Sequence, residues 1–193
     1  MEFSISQAYG HVYKIVNSNL SITSGMEKLI DYCRNHVESS VWNEIQMLDF
    51  EDDGLNLKNW LQNNIMTEPP TGEICSLWFG LFDGIYDGCE VCSLYLSGTS
   101  YKHDEKDNKV LYLSDDRYSC PRVLRDMSII LKSNGGAVTE IGEYVLYLGY
   151  ACLVIKNIFK TLDGNILKNL SKPCEIVVGF DSGDYILVDK IDI

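Results

Sequence analysis

Four aspartates in two glycine-containing segments are the residues with the clearest potential for chemistry. Asp83 and Asp87 lie in the segment DGIYDGCE, and Asp181 and Asp184 lie in FDSGDY. If both segments lie at one edge of a sheet, these carboxylates could bind a divalent cation or act on a glycosidic bond. Aspartate beside glycine is also typical of tight turns, because its side chain hydrogen-bonds to the nearby backbone. We favour the turn interpretation and keep a metal site formed by these four aspartates as the alternative.

The cysteines and histidines give weaker indications of a site. Cys89 and Cys92 form a C-x-x-C pair, but no second pair follows at the spacing of a zinc finger. The seven cysteines are odd in number and scattered, which is typical of reduced thiols and not of a disulfide framework. His11, His36 and His103 lie in separate segments without a nucleophile or metal motif. We therefore predict no catalytic residue, no cofactor and no enzymatic activity.

The charge of the chain restricts its partners. Its 28 acidic residues outnumber 16 basic residues and give a net charge of −12, which disfavours binding to nucleic acid. An acidic surface favours solubility in general and a basic protein partner in particular. The N-terminal segment MEFSISQAYGHVYK lacks the basic and apolar regions of a signal peptide. We expect a cytoplasmic protein that binds neither nucleic acid nor membranes, and the sequence does not indicate its oligomeric state.

Apolar residues at helical spacing predict that the N-terminal third is helical. The first helix is predicted over residues 4–19. Ser24 is expected to cap a second helix, Ser39 or Ser40 a third, and Asn56 to begin a fourth that ends before Pro-Pro. The acidic run DFEDD between the last two predicts a solvated helix end and loop.

After these prolines the hydrophobic period changes from that of a helix to that of a strand. Ile74–Phe82 and Val91–Ser97 alternate between apolar and small or polar residues, which predicts two antiparallel strands joined by DGIYDGCE. Val110–Leu113 predicts a third short strand. Two apolar runs around Ser182 and Gly183 predict a C-terminal hairpin.

Two more helices are predicted in the second half of the chain. Ser119 or Cys120 is expected to cap the first. The second, Thr139–Lys160, has no charge between Tyr144 and Ile155 and is apolar on every face, so we expect it to be surrounded by protein. Together the elements predict a single α+β domain over residues 1–193. It would have a helical N-terminal third, a mainly antiparallel sheet against the buried helix, and a C-terminal β-hairpin.

Three segments of the C-terminal half carry a resemblance to a known class of protein. The segments YLSDDRYSCPRVLRDM, EYVLYLGYACLVIKNIF and VVGFDSGDYILV resemble small acidic bacterial immunity proteins of polymorphic toxin systems. These proteins often end in a helix followed by a GFD-x-GD hairpin, and here the motif is GFDSGD. The resemblance implies a cytoplasmic protein that neutralises a cognate toxin by occluding its active surface.

The resemblance also implies a protein partner. We expect this partner to contact acidic and aromatic residues of the chain. A basic toxin domain would be attracted by the net negative charge. The acidic residues expected at the interface are Asp49, Glu51, Asp52, Asp53, Asp104, Glu105 and Asp107, and the expected aromatic anchors are Trp42, Tyr112 and Tyr118. Two alternatives remain open: a metal-dependent hydrolase that uses the four aspartates, and a structural or regulatory module without a toxin partner.

Overall fold

The structure, a computed structural model, describes residues 3–70, 72–100, 102, 109–163, 167, 170–181 and 183–191. The helices are α1 (Ile5–Val16), α2 (Ile22–His36), α3 (Val41–Gln46), α4 (Asp53–Thr67), α5 (Arg122–Lys132), α6 (Gly136–Gly142) and α7 (Leu148–Thr161), with a π-helical segment (Glu143–Tyr147) between the last two. The strands are β1 (Ile74–Tyr86), β2 (Cys89–Thr99), β3 (Val110–Tyr112), β4 (Tyr118–Ser119), β5 (Leu170–Phe180) and β6 (Tyr185–Ile191).

The strands form one mixed sheet in the order β3-β2-β1-β5-β6, and β4 also pairs with β2. β1 and β5 are parallel, whereas the other paired strands are antiparallel. The chain passes through helices α5, α6 and α7 before β5 lies beside β1, as a parallel pair requires a long connection. The predicted α+β class is confirmed, including the N-terminal helices and the C-terminal hairpin strands.

The hairpin between β1 and β2 turns at Asp87 and Gly88. Both residues have positive φ, 50° and 80°, which is the conformation of a two-residue hairpin turn that aspartate and glycine tolerate. The last strand pair before the turn joins Tyr86 to Cys89. The turn interpretation therefore holds for Asp87. It is wrong for Asp83, which lies inside β1 opposite Cys92.

One face of the sheet packs against the helices. Alternate residues of β1, namely Leu77, Phe79 and Leu81, are buried in the same hydrophobic core as the residues of α7. α5 contacts β2, while α7 contacts β5 and β6. Because side chains alternate along a strand, the residues between them point to the opposite face of the sheet.

The long helix that was predicted as the centre of the core begins earlier than expected. α6, the π-helical segment and α7 follow one another as a helix from Gly136 to Thr161. By length and composition this helix could cross a membrane, but 72% of its most apolar 18-residue stretch is buried inside the fold. The prediction that the helix is covered by protein is confirmed. Thr139, the first residue of the predicted range, lies within α6 and donates to the carbonyl of Leu131 at 2.7 Å.

Other helices also start at positions that differ from the prediction. α2 begins at Ile22, and its cap is Ser21, whose Oγ accepts a hydrogen bond from the amide of Ser24 at 3.1 Å. α4 begins at Asp53 and not at Asn56. In both cases the first turn contains polar residues that the hydrophobic period could not assign to a helix.

Asp53 joins three helices through a buried carboxylate. It is only 2% exposed, and it accepts hydrogen bonds from the amides of Arg122 and Val123 at 2.9 and 2.7 Å. These amides are the first two of α5, which would otherwise lack partners. The hydroxyl of Tyr150 in α7 donates to the same carboxylate at 3.0 Å. The prediction that Asp53 contacts a partner protein is therefore wrong, because its carboxylate is used inside the fold.

We expect the Asp53→Ala substitution to lower the free energy of unfolding by about 3 kcal/mol, because it leaves three buried donors without an acceptor. Asp52 provides a matched control. Its carboxylate forms an exposed ion pair with Nε of Arg122 at 2.8 Å, so Asp52→Ala should cost about 1 kcal/mol or less. Urea unfolding of both variants measures the difference. Equal losses would contradict the assignment of Asp53 as the joint between the helices.

Candidate functional site

The remaining acidic residues of the DFEDD run lie at the surface but have local partners. Asp49 accepts a hydrogen bond from the amide of Glu51 at 3.2 Å. The Glu51 carboxylate in turn accepts from the amide and hydroxyl of Thr23 at 3.3 and 3.2 Å. Asp52 is paired with Arg122. The run thus stabilises the surroundings of α2, α4 and α5, and it offers a partner less free charge than its sequence suggests.

The predicted aromatic anchors have different positions. Trp42 is fully buried, and its indole nitrogen donates to the carbonyl of Val37 at 2.7 Å. Tyr112 is also buried. The prediction that these two residues are surface anchors is wrong, because their rings contribute to the core. Tyr118, in contrast, is 55% exposed. The predicted acidic contacts Asp104, Glu105 and Asp107 lie outside the described residues.

The structure does not bring the four aspartates together as a metal site. Asp83 is paired with Lys132, and Asp181 accepts from the hydroxyl of Tyr95 at 2.7 Å. Asp184 accepts from the hydroxyl of Tyr144, and Asp87 lies at the hairpin turn. Within the described part of the chain, no three His, Cys, Asp or Glu side chains are placed to hold a metal ion. The alternative of a metal site at these four residues is therefore wrong.

The face of the sheet opposite the helices carries a group of aromatic side chains, which we call the aromatic face. These side chains are half-buried except for the exposed Tyr118. The aromatic face consists of Trp78, Phe82, Tyr95, Tyr118 and Tyr185.

Contacts between neighbouring strands hold the aromatic face in one arrangement. Phe82 packs edge-to-face against Tyr95 and Tyr118, with ring centroids 6.0 and 5.5 Å apart. Trp78 packs in the same way against Tyr185 at 5.8 Å and donates from Nε1 to the hydroxyl of Tyr95 at 3.1 Å. Such pairs restrict the rings, so little side-chain entropy remains to be lost on binding.

Gly80 makes the position of Tyr95 possible. A Cβ atom at Gly80 would lie 2.0 Å from the ring of Tyr95, so only glycine leaves room for the ring above the strand. Beside it, a groove of about 360 Å³ is lined by Phe82, Ser93 and Tyr118. The aromatic face therefore combines rigid rings with a shallow depression that could accept a side chain from another molecule.

A second concave feature, which we call the acidic cleft, lies where the parallel strands β1 and β5 end. Its volume is about 480 Å³. Strand β1 contributes Leu81, Asp83 and their neighbours, and β2 contributes Cys92. The π-helical segment contributes Glu143 and Tyr147. The residues that line the acidic cleft are Leu81, Phe82, Asp83, Cys92, Glu143, Tyr147, Phe180 and Asp181.

Charge within the acidic cleft is incompletely balanced. Nζ of Lys132 contacts Asp83 at 3.2 Å and Glu90 at 3.1 Å. Burial alone would lower the pKa of Lys132, but hydrogen bonds to Glu90 and Asp83 raise it, so the ammonium group is retained. Burial, and then the charges of Asp83 and Glu90, raise the pKa of Glu143, although Lys132 opposes this shift. An additional positive charge bound in the cleft would therefore reduce the repulsion between its carboxylates.

The described residues that line the acidic cleft do not include an activated nucleophile. Burial is the main cause that raises the pKa of the Cys92 thiol, and Asp83 raises it further, so the thiol stays protonated. Burial also raises the pKa of Tyr147, with Ser128 opposing the shift. The chemistry available here is recognition of a cation by carboxylates, aromatic rings and a hydroxyl.

Local sequence patterns indicate these two features only in part. Asp83 and Asp181 were identified as candidates, but Glu143 and Tyr147 lie in a helix whose apolar character concealed them. Trp78, Tyr95 and Tyr185 alternate with core residues on three strands. Their gathering on one face follows from the register between strands, which no local pattern specifies.

Comparison with known proteins finds no family model, curated protein or solved structure that matches the chain.

We expect Glu143→Gln to raise the free energy of unfolding near pH 7. The folded-state pKa of Glu143 lies above its ordinary value of 4.5, so the ionised carboxylate opposes folding at neutral pH. As the pH falls through the folded pKa and then below the ordinary value, the side chain becomes protonated in both states and this opposition disappears. The difference between the variant and the wild type, measured by urea unfolding at several pH values, should shrink accordingly.

Glu140→Gln is the control for this comparison, because Glu140 is exposed on the same long helix. It should change stability little at any of these pH values. A stabilisation by Glu143→Gln that grows as the pH falls would contradict the proposed destabilisation by this half-buried carboxylate.

Proposed function

We propose that this protein is an immunity-type binding protein of the cytoplasm, which neutralises a cognate toxin by covering the toxin's active surface. The observation that carries the proposal is the aromatic face. Trp and Tyr are the residues that most often dominate the energy of protein interfaces. Here they are held on a sheet by mutual contacts, and partial exposure leaves their surface available to a partner.

Charge supports a basic partner for the aromatic face. The net charge of −12 would speed the approach of a basic domain at low salt. Asp181 is exposed at the margin of the face, where its carboxylate accepts from Tyr95. A toxin that acts on nucleic acid has a basic active surface, and carboxylates beside rigid aromatic rings could occupy that surface.

The resemblance of the C-terminal segments to immunity proteins points to the same function. In the GFDSGD motif, Gly179 and Phe180 end β5, and Asp184 directly precedes β6. Asp181 lies beside the aromatic face, where it accepts from Tyr95, while Asp184 accepts from Tyr144. The motif thus contributes to the proposed interface and also fastens the hairpin to the long helix.

The test is binding to the protein encoded immediately upstream, measured by calorimetry at low and high salt. We expect a complex that weakens as salt rises. Tyr118→Ala should weaken it by about 30-fold, the effect of losing an interface residue worth about 2 kcal/mol. Co-expression of the wild type should restore growth of cells that produce the toxin, whereas Tyr118→Ala should restore it less.

Met47→Ala is the matched control. Met47 is 86% exposed at the end of α3, in the helical layer away from the aromatic face. The Met47→Ala substitution should leave the affinity within about twofold of that of the wild type, as is expected for most residues outside an interface. Failure to form a complex with the upstream product, or equal effects of the two substitutions, would refute the proposal.

A further inference from the structure

We propose that the acidic cleft is a binding site for a guanidinium group, supplied by an arginine side chain of the basic partner. This inference rests on the proposed function and adds a specific contact to it. The cleft and the aromatic face share Phe82, and Asp181 lies at their common margin. A partner that covers the aromatic face would therefore place its own side chains at the mouth of the cleft.

A buried hydroxyl in the cleft lacks a protein partner. Tyr147 lines the cleft and is 3% exposed, yet its hydroxyl makes no hydrogen bond. The neighbouring hydroxyl of Ser128 donates its one proton to the carbonyl of Leu124 and accepts from the amide of Cys92, both at 2.8 Å, so it has no proton left to donate to Tyr147. A buried polar group without a partner is costly. A donor that enters the cleft would remove this cost.

Glu143 provides the charge for the same ligand. It lies in the π-helical segment with Tyr147, and such segments are frequent at functional sites because they alter which side chains a helix presents. The ammonium group of Lys132 beside the cleft is engaged by Asp83 and Glu90. Glu143 and Asp181 are left to receive a positive charge from outside.

The shape and lining of the cleft favour guanidinium over a metal ion. A volume of about 480 Å³ is much larger than a bare ion requires, and the described residues contain no metal-binding group of three ligands. Phe82 and Phe180 add aromatic surface on which a planar cation can stack. Guanidinium also has several donors, so one group could reach both the Glu143 carboxylate and the Tyr147 hydroxyl.

The experiment uses the isolated protein and two small probes that differ in charge. N-acetyl-arginine N′-methylamide carries the guanidinium group without other charges, and the corresponding citrulline derivative is its neutral equivalent. We expect titration followed by NMR to show shifts at the cleft with the arginine probe and at least tenfold weaker binding of the citrulline probe, since a charged hydrogen bond is replaced by a neutral one.

Variants identify the groups that bind the probe. Glu143→Gln and Tyr147→Phe should each weaken binding of the arginine probe by about tenfold, and Glu140→Gln should leave it unchanged. Both cleft variants are expected to fold, because one removes a disfavoured carboxylate and the other a hydroxyl without a partner. The cleft variants should also weaken the complex with the upstream product, and the arginine probe should compete with that product.

The results separate this inference from the proposed function. Absence of arginine-probe binding, equal binding of both probes, or binding unaffected by the cleft variants would overturn the guanidinium site. So would a bound probe that does not compete with the upstream product, since the ligand would then be a free guanidino compound and not an arginine of the partner. A complex that forms with the upstream product and depends on Tyr118 would leave the proposed function intact in each case.

Discussion

The buried carboxylate of Asp53 is the interaction on which the arrangement of the helices depends. It satisfies the first amides of α5 and the hydroxyl of Tyr150, and it begins α4 itself. A negative charge beside the start of a helix is favoured by the helix dipole, which offsets part of the cost of burying it. Because α5 also packs on β2, this contact between helices helps to fix the helical layer above the sheet.

The class of the fold could be predicted because its signals are local. Period-two alternation identified β1 and β2, and the uncharged run from Tyr144 to Ile155 identified the helix at the centre of the core. The role of Asp53 could not be predicted, since its partners lie 69, 70 and 97 residues away. In the sequence it belongs to an acidic run, and only the packing of distant helices distinguishes it from the exposed Asp52.

Only part of the candidate site could be predicted, because it too depends on contacts between distant segments of the chain. Asp83 and Asp181 could be selected because each lies in a segment that contains glycine, although Asp83 lies inside a strand and the described residues form no metal site. The parallel pairing of β1 with β5 aligns Leu81 with Phe180, and this long-range register brings the two aspartates to the acidic cleft. The aromatic face likewise depends on strands brought together from separate parts of the chain.

The π-helical segment has a consequence for the evolution of the long helix. A π-turn contains about one residue more than an α-turn, and one residue corresponds to about 100° of rotation around an α-helix. Deletion of one residue from Glu143–Tyr147 would replace the π-turn by a regular α-turn and leave α6 and α7 in nearly the same phase, whereas a deletion elsewhere in the helix would rotate one part against the other by roughly this angle. The core contacts on both sides of the π-helical segment could therefore be kept without the extra residue, and the side chains that this segment presents to the cleft are what depend on it.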